Sequence, residues 1–337
     1  MRLLIVAPAW VGDMVMAHTL LQRLVDADPG IEIHVVAPPA SAPLALRMPQ
    51  VQTTHVLEAS HGEFSLAKRR ALGRRLAALS FDQAIVLPNS WKSALVPLFA
   101  RIPRRTGWLG EMRIGVLNDW RRLDAARYPL MIERFMALGI DAGAALAAPY
   151  PKPRLTVDAE RLPQRMMQLG IDTSYPILAL CPGAEYGPSK RWPSRHYAAV
   201  AAQYINGGGR VWLFGSAADR SVTSAVRELV PMSLRDGVTD LAGRTSLLDA
   251  VDLLSVAAAV VTNDSGLMHV AAAMSRPLVA VYGSTSPDFT PPLADNAVVV
   301  REPQPCSPCF ARECRFGHTD CLTKVQPDRV IATLPAP

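Results

Sequence analysis

Aromatic residues make up only 6% of this 337-residue chain, and charged residues only 19%. The few aromatics do not interleave with the basic clusters, which argues against a stacking platform for single-stranded nucleic acid. No apolar run approaches the roughly 18 uninterrupted residues that a membrane-spanning helix needs. The opening MRLLIVAPAWVGDM breaks at Pro8 and Asp13 and reads as a first buried strand rather than a signal peptide. A soluble, cytoplasmic protein is therefore expected. No GxGxxG occurs and no Walker phosphate loop is present, so a dinucleotide-dependent dehydrogenase is disfavoured.

Half the chain is hydrophobic, enough to bury large cores and to exclude disorder. The formal net charge of +6 suits an anionic partner in general terms: nucleic acid, acidic lipid or a phosphorylated sugar. Basic residues gather at Lys68-Arg69-Arg70 with Arg74-Arg75, at Arg101, Arg104 and Arg105, and at Arg121-Arg122. Each cluster taken alone reads as a solvated face.

A strand–helix rhythm runs through the first half. Strands are predicted at 3–7, 32–36, 54–57 and 83–87, and helices at 14–25, 40–48, 64–79, 90–100 and 130–138. The polar, Arg-rich stretch 107–124 reads as a loop. The segment AAPYPKP, residues 147–153, holds three prolines and can continue neither a helix nor a central strand, so it reads as a linker. The rhythm then restarts, with helices at 158–169, 196–205, 218–230 and 246–256 and strands at 177–180 and 211–214. Alternation of this kind implies parallel sheets with right-handed crossovers. The expected fold class is α/β, two Rossmann-like parallel-sheet domains facing across a cleft, an arrangement of the GT-B kind. The expected domains are 1–150 and 151–325, followed by a C-terminal helix or tail at 326–337.

The stretch AAVVTNDSGLMHVAAAMSRPLVAVYG, residues 258–283, is the most informative. Two apolar runs without alternation flank Asn263-Asp264-Ser265-Gly266 and an Ala-rich segment, which reads as a strand–helix–strand unit covered on both faces. Asp264 and Ser265 then sit where a strand ends and a helix begins, the edge at which open α/β sheets bind ligands. Gly266 permits close approach of a ligand to the backbone, and His269 lies one turn further along the same helix face. Simple helix capping and a core histidine are the alternative for this stretch.

Other turns fall on the same predicted edge. Trp10-Val11-Gly12-Asp13 follows the first strand, where Asp13 is either a helix cap or a general base taking a proton from a hydroxyl. Residues 182–193, PGAEYGPSKRWP, form a Gly/Pro-rich loop. Its backbone N–H groups and Lys190 suit a pyrophosphate. Gly215 to Asp219 and Leu241 to Thr245 are two further strand-end turns. Cys306, Cys309, Cys314 and Cys321 are spaced C-x2-C-x4-C-x6-C with His318 among them, while Cys181 stands apart in a strand. Structural zinc, reduced thiols and disulfides are all open readings of that cluster. A catalytic metal is not expected.

Taken together, WVGDMVMAHTL, RTGWLGEMRIGVLND, CPGAEYGPSKRWP and NDSGLMHVAAA followed by RPLVAVYGSTSP resemble the ADP-heptose:lipopolysaccharide heptosyltransferases of glycosyltransferase family 9. The likeness runs in order from the first residues to the last. The middle segment and the late cysteines are most similar to the members that add the second heptose. The resemblance implies metal-independent, inverting transfer of L-glycero-D-manno-heptose from ADP-heptose to the first heptose of the Kdo2-lipid A inner core, with no cofactor. It implies catalytic roles for Asp13 as base and Lys190 on the departing ADP. Donor binding would involve Gly183, Ser189, Lys190, Asp219, Thr245, Asp264, Ser265, Gly266 and His269, with Asp219 the nearest candidate for the ribose. Acceptor binding would involve Gly12, Asp13, Arg104, Arg105 and Trp108. It also implies a monomer in peripheral contact with the inner face of the cytoplasmic membrane, no nucleic-acid partner, and closure of the two domains during the cycle. The alternatives are a transferase for another core heptose, including the first, then a sugar-nucleotide epimerase on the same fold. A basic nucleic-acid or membrane-binding protein with a zinc module comes last.

Overall fold

A computed structural model describes residues 1–59 and 62–337. The chain divides into two units, Met1–Thr156 and Val157–Pro337. The first is built on a six-stranded sheet: β1 Arg2–Val6, β2 Glu32–Ala37, β3 Val51–Val56, β4 Gln83–Val86, β5 Arg104–Trp108 and β6 Asp119–Arg121, in the spatial order β3-β2-β1-β4-β5-β6. The second is built on β7 Ile177–Cys181, β8 Arg210–Leu213, β9 Val238–Asp240, β10 Ala259–Asn263, β11 Leu278–Tyr282 and β12 Ala297–Arg301, in the order β12-β11-β10-β7-β8-β9. Every pairing is parallel. Helices cross between strands as a parallel sheet demands. The α/β class and the two Rossmann-like sheets expected from the sequence are therefore present.

Each sheet reverses its winding once, between β1 and β4 in the first unit and between β7 and β10 in the second. At such a point the loops leaving adjacent strands turn to opposite faces and open a crevice at the C-terminal edge. The central strands explain why this geometry is stable. All residues of β7, β10 and β11 are buried, so both faces of the second sheet carry apolar cover. Packing on that sheet are Trp192, Tyr197 and Val200, together with Leu322, Val325 and Val330. Val330 belongs to the helix Pro327–Ile331, so the last residues complete the core of the second unit.

The differences from the sequence reading have local causes. Residues 107–124 were expected to be loop but include β6, which extends the first sheet through Thr106↔Asp119 and Trp108↔Arg121. The expected helix at 40–48 is only Ala42–Ala45, and 90–100 is a 3-10 turn, Trp91–Ala94, leading into Leu95–Phe99. Pro97 removes an N–H that a continuous helix over 90–100 would use, and Pro43, in the first turn of its short helix, bars extension toward residue 40. β5 begins with two arginines and so reads as a basic patch. Its side chains are nevertheless spent inside the unit: Arg105 donates to the carbonyls of Val116 and Ile102 at 2.7 and 2.6 Å.

Several arginines, two of them in the basic clusters, are struts rather than surface charge. Arg113 is fully buried and donates to the carbonyl oxygens of Pro88, at 2.7 Å, and Trp108. Burial lowers its pKa to about 10, which leaves it charged near neutral pH. Arg121 holds Ala137 O and Ile140 O, each at 2.7 Å. Arg69, the one buried cation of its helix Leu66–Ala77, donates to Phe64 O at 2.7 Å and Lys92 O at 3.2 Å. A guanidinium can satisfy several carbonyls at once, which is how such loops are fixed without regular structure.

Candidate active site

In the first unit, β1 ends at Val6 and the helix Val11–Ala27 begins five residues later. Trp10 is the N-cap residue in extended conformation, and Asp13 falls in the first helical turn. Asp13 is therefore not the cap. It stands half-buried at the C-terminal edge of the sheet, beside the winding reversal, with the buried Gly12 next to it.

The other expected acceptor residues are not gathered there. Arg104 and Arg105 open β5 and pair in register with Gln83 and Ala84, the first residues of β4. They lie at the N-terminal edge, a strand's length from Asp13, because parallel strands all start at the same side. Arg104 is exposed and pairs with Asp119 at 3.0 Å. Trp108 does lie at the correct end of β5, but it is buried, donates its indole N–H to Arg134 O at 3.0 Å and packs on Tyr128. The structure thus separates Arg104 and Arg105 from Gly12 and Asp13, and turns Trp108 into the unit's interior.

In the second unit the expected turns do converge. Strand order sets the residues after β11, β10, β7, β8 and β9 side by side along one C-terminal edge. Lys190 Nζ lies 2.7 Å from Asp264 Oδ2, and Thr285 Oγ1 donates to the same oxygen at 2.6 Å. The Asp264 side chain is 4% exposed and that of Lys190 16%, so the pair is shielded and the lysine is the more accessible partner. The Tyr186 ring lies 5.0 Å from Nζ on another side. A lysine so held delivers a fixed positive charge to an anion at the crevice.

Ser265 is the N-cap of the helix Gly266–Ala273, and its hydroxyl lies 3.3 Å from Thr262 Oγ1. The positive end of that helix and its unpaired first N–H groups face the same edge. His269 sits in this helix, fully buried, and burial lowers its pKa to about 4. Asp264 opposes that effect and Lys190 adds to it. It is a neutral imidazole throughout the physiological range. Gly183 abuts Asp219: a Cβ there would meet the Asp219 carboxyl carbon at 2.5 Å. Asp219 in turn accepts from Ser216 N at 3.0 Å and Ser216 Oγ at 2.7 Å. Thr245 follows β9, further out along the edge, and donates to Leu241 O at 3.3 Å. Ser189 is buried and its hydroxyl donates to Ala311 O.

Two contributors escape a reading of the sequence. Thr285 lies in the turn after β11 and fixes Asp264. Its only signal is that GSTSP follows a strand adjacent to β10. Asn263 ends β10 and pins the whole lysine loop. Its amide donates to Pro182 O at 2.7 Å, and its oxygen accepts from Trp192 N at 2.9 Å and Tyr197 Oη at 3.0 Å. All these groups are buried. Asn263→Leu would orphan several of them, each worth about 1–3 kcal/mol. A loss of about 3 kcal/mol or more is expected in urea denaturation of the chain. A loss within 0.5 kcal/mol, roughly the scatter of an ordinary surface substitution, would show that the loop is held elsewhere.

Residues 69–320 match the model of glycosyltransferase family 9 (heptosyltransferase). The chain is 44% identical over 339 residues to the lipopolysaccharide heptosyltransferase 2 of Salmonella typhimurium, covering 99% of this chain and 97% of that one. It is 47% identical over 308 residues to the lipooligosaccharide heptosyltransferase 2 of Haemophilus influenzae, covering 89% and 88%. The solved structure of the E. coli ADP-heptose lipopolysaccharide heptosyltransferase II superposes with a TM-score of 0.90 at 43% identity, over 99% of this chain and 97% of that one.

Proposed function

The chain belongs to glycosyltransferase family 9, the heptosyltransferases, and from that premise we propose how it transfers its sugar and onto what. It is a GT-B transferase that adds heptose to the lipopolysaccharide core. The acceptor in this reading is the first heptose of the Kdo2-lipid A inner core, and the donor is ADP-heptose. End-to-end identity of 44% with a relative named lipopolysaccharide heptosyltransferase 2 supports this choice of acceptor.

Chemically, an acceptor hydroxyl attacks the anomeric carbon of the donor from the face opposite the diphosphate. The bond from that carbon to the diphosphate oxygen breaks, and the configuration inverts. Asp13 takes the hydroxyl proton as the new glycosidic bond forms. Lys190 and the helix that begins at Gly266 stabilise the charge left on ADP. Asp264 is buried and already binds Lys190 and Thr285, so its part is to aim the lysine rather than to touch an anion. Asp219, which abuts Gly183 at the start of the diphosphate loop, remains the candidate for the ribose.

The test is transfer from ADP-heptose to two purified acceptors, Kdo2-lipid A and heptosyl-Kdo2-lipid A, with and without EDTA. Product on the heptosylated acceptor alone, unaffected by EDTA, is expected. Product on Kdo2-lipid A instead would make this the first transferase, and no product on either would remove the reading.

Among the described residues, no helix is long and apolar enough to cross a membrane. Peripheral contact is supported by a patch in the first unit. Phe64 and Trp91 are 48% and 38% exposed and stack at 6.3 Å. Leu66 is exposed beside them, and Lys68, Arg70, Arg74 and Arg75 are exposed along the same helix. Aromatic and aliphatic groups next to several cations suit an anionic bilayer surface. Phe64→Ser with Trp91→Ser is expected to weaken sedimentation with phosphatidylglycerol vesicles by about tenfold, the order of magnitude expected for two interfacial aromatics. Unchanged sedimentation would assign the patch to something other than lipid.

A further inference from the structure

Residues 302–319 contain neither helix nor strand, and their large apolar side chains Phe310 and Phe316 are exposed. A segment with so little buried surface should be loose. Yet it holds the lysine loop through specific contacts. Tyr186 Oη donates to Phe310 O at 2.5 Å and Ser189 N to Arg312 O at 3.2 Å. The backbones meet so closely that a Cβ on Gly187 would lie 2.4 Å from Arg312 O. Hydrophobic burial does not account for that order.

The same segment gathers four thiols. Cys306, Cys309 and Cys314 lie within it and Cys321 begins the next helical turn. All four are free and line one small cavity, beside Ser189 and Ser284. Cys321 is close enough to feel the charge of the other three. Backbone N–H groups of Phe316, Gly317, His318 and Thr319 are directed at the Cys314 sulfur. His318 is otherwise engaged: its Nδ1 accepts from Asp320 N at 3.0 Å and its ring stacks on Phe316.

We propose that Cys306, Cys309, Cys314 and Cys321 form a tetrathiolate site for one thiophilic transition-metal ion, which fixes the 302–319 segment against the loop carrying Lys190. Four sulfur ligands in a chain-local cluster match the tetrahedral sites of zinc and iron and suit no hard cation. Among the described residues, no three His, Cys, Asp or Glu side chains are already arranged to hold a metal ion. Closing that sphere is the work of the ion, because binding a structural metal and ordering its ligands are coupled. The site is structural, as all four positions are filled by protein and none is left for substrate.

Elemental analysis of the tag-free, full-length chain purified under reducing conditions is expected to find zinc plus iron at about one ion per chain. Blocking the thiols with a mercurial should release it, read with a metal-chelating dye. Cys314→Ser should lose the ion, while Cys181→Ser, altered in the buried strand β7, should keep it. Less than about a tenth of an ion per wild-type chain would overturn the proposal, as would disulfides among the four cysteines in peptide mapping. Both readings are made on the wild-type chain, so a misfolded variant does not rescue the idea. Metal release should also speed proteolysis within 302–319. Neither metal content nor cleavage depends on the transferase reading, so the two can fail separately.

Discussion

Asp13→Asn is expected to lower heptose transfer by about 10²- to 10⁴-fold, the range that general-base catalysis supplies, while ADP binding stays within about twofold of wild type. Asp13 belongs to the first unit, in the opening turn of Val11–Ala27. The ADP-binding groups proposed here all belong to the second unit, so removing one carboxylate leaves them intact. Asn preserves shape and polarity but accepts no proton at neutral pH. The helix-dipole part of its structural cost is small: a negative charge in a first helical turn is worth about 0.3–1 kcal/mol, and thermal melting reads the whole of it. An inactive yet folded, ADP-binding variant is the combination that separates a base from a structural carboxylate. The readouts are steady-state transfer, calorimetric ADP binding and thermal melting. Asp13→Glu should recover part of the rate, because the longer carboxylate still takes a proton from a misplaced distance. Turnover of Asp13→Asn within about threefold of wild type would remove the base assignment, since that is far below the smallest effect expected of one.

How legible the site was from sequence depended on whether its geometry is local or set by strand order. The unit from β10 through Gly266–Ala273 to β11 could be read because two apolar runs without alternation have few other solutions. Asp264 and Lys190 were found separately, each as a polar residue just beyond a strand. Their salt bridge spans 74 positions and follows from β10 lying beside β7, a fact of sheet order that chain order does not carry. Thr285 and Asn263 were missed for the same reason. Arg104 and Arg105 show the opposite case. Their charge suggests a binding surface, but they begin a strand and so lie at the N-terminal edge of the sheet, away from Asp13. Arg113 shows a third limit. Composition argues that arginine is exposed, and only the carbonyls of Pro88 and Trp108, brought together by the fold, make its burial sensible.

Lys190→Ala should have two effects that can be measured apart. At the donor site it removes the fixed cation that stabilises the departing diphosphate. Loss of one such group costs about 10²–10³ in rate, and ADP affinity should fall with it, unlike in the Asp13 variant. In the folded protein it strands Asp264, whose side chain is 4% exposed, with Thr285 as a remaining donor. Breaking a buried pair from one side costs about 3–5 kcal/mol. The lower end applies here, because the lysine is 16% exposed and water can enter the space it leaves. Lys190→Met combined with Asp264→Asn distinguishes the two effects. Neutralising both partners removes the stranded charge, so most of the stability should return, as it does when buried pairs are replaced together. Transfer should not return, because the diphosphate still lacks its cation. If the double variant recovered activity along with stability, Lys190 would be a structural residue only. If Lys190→Ala bound ADP with wild-type affinity, the donor would lie elsewhere on this edge. Stability that returns without activity is the outcome expected of a lysine held by one carboxylate so that it can serve another anion.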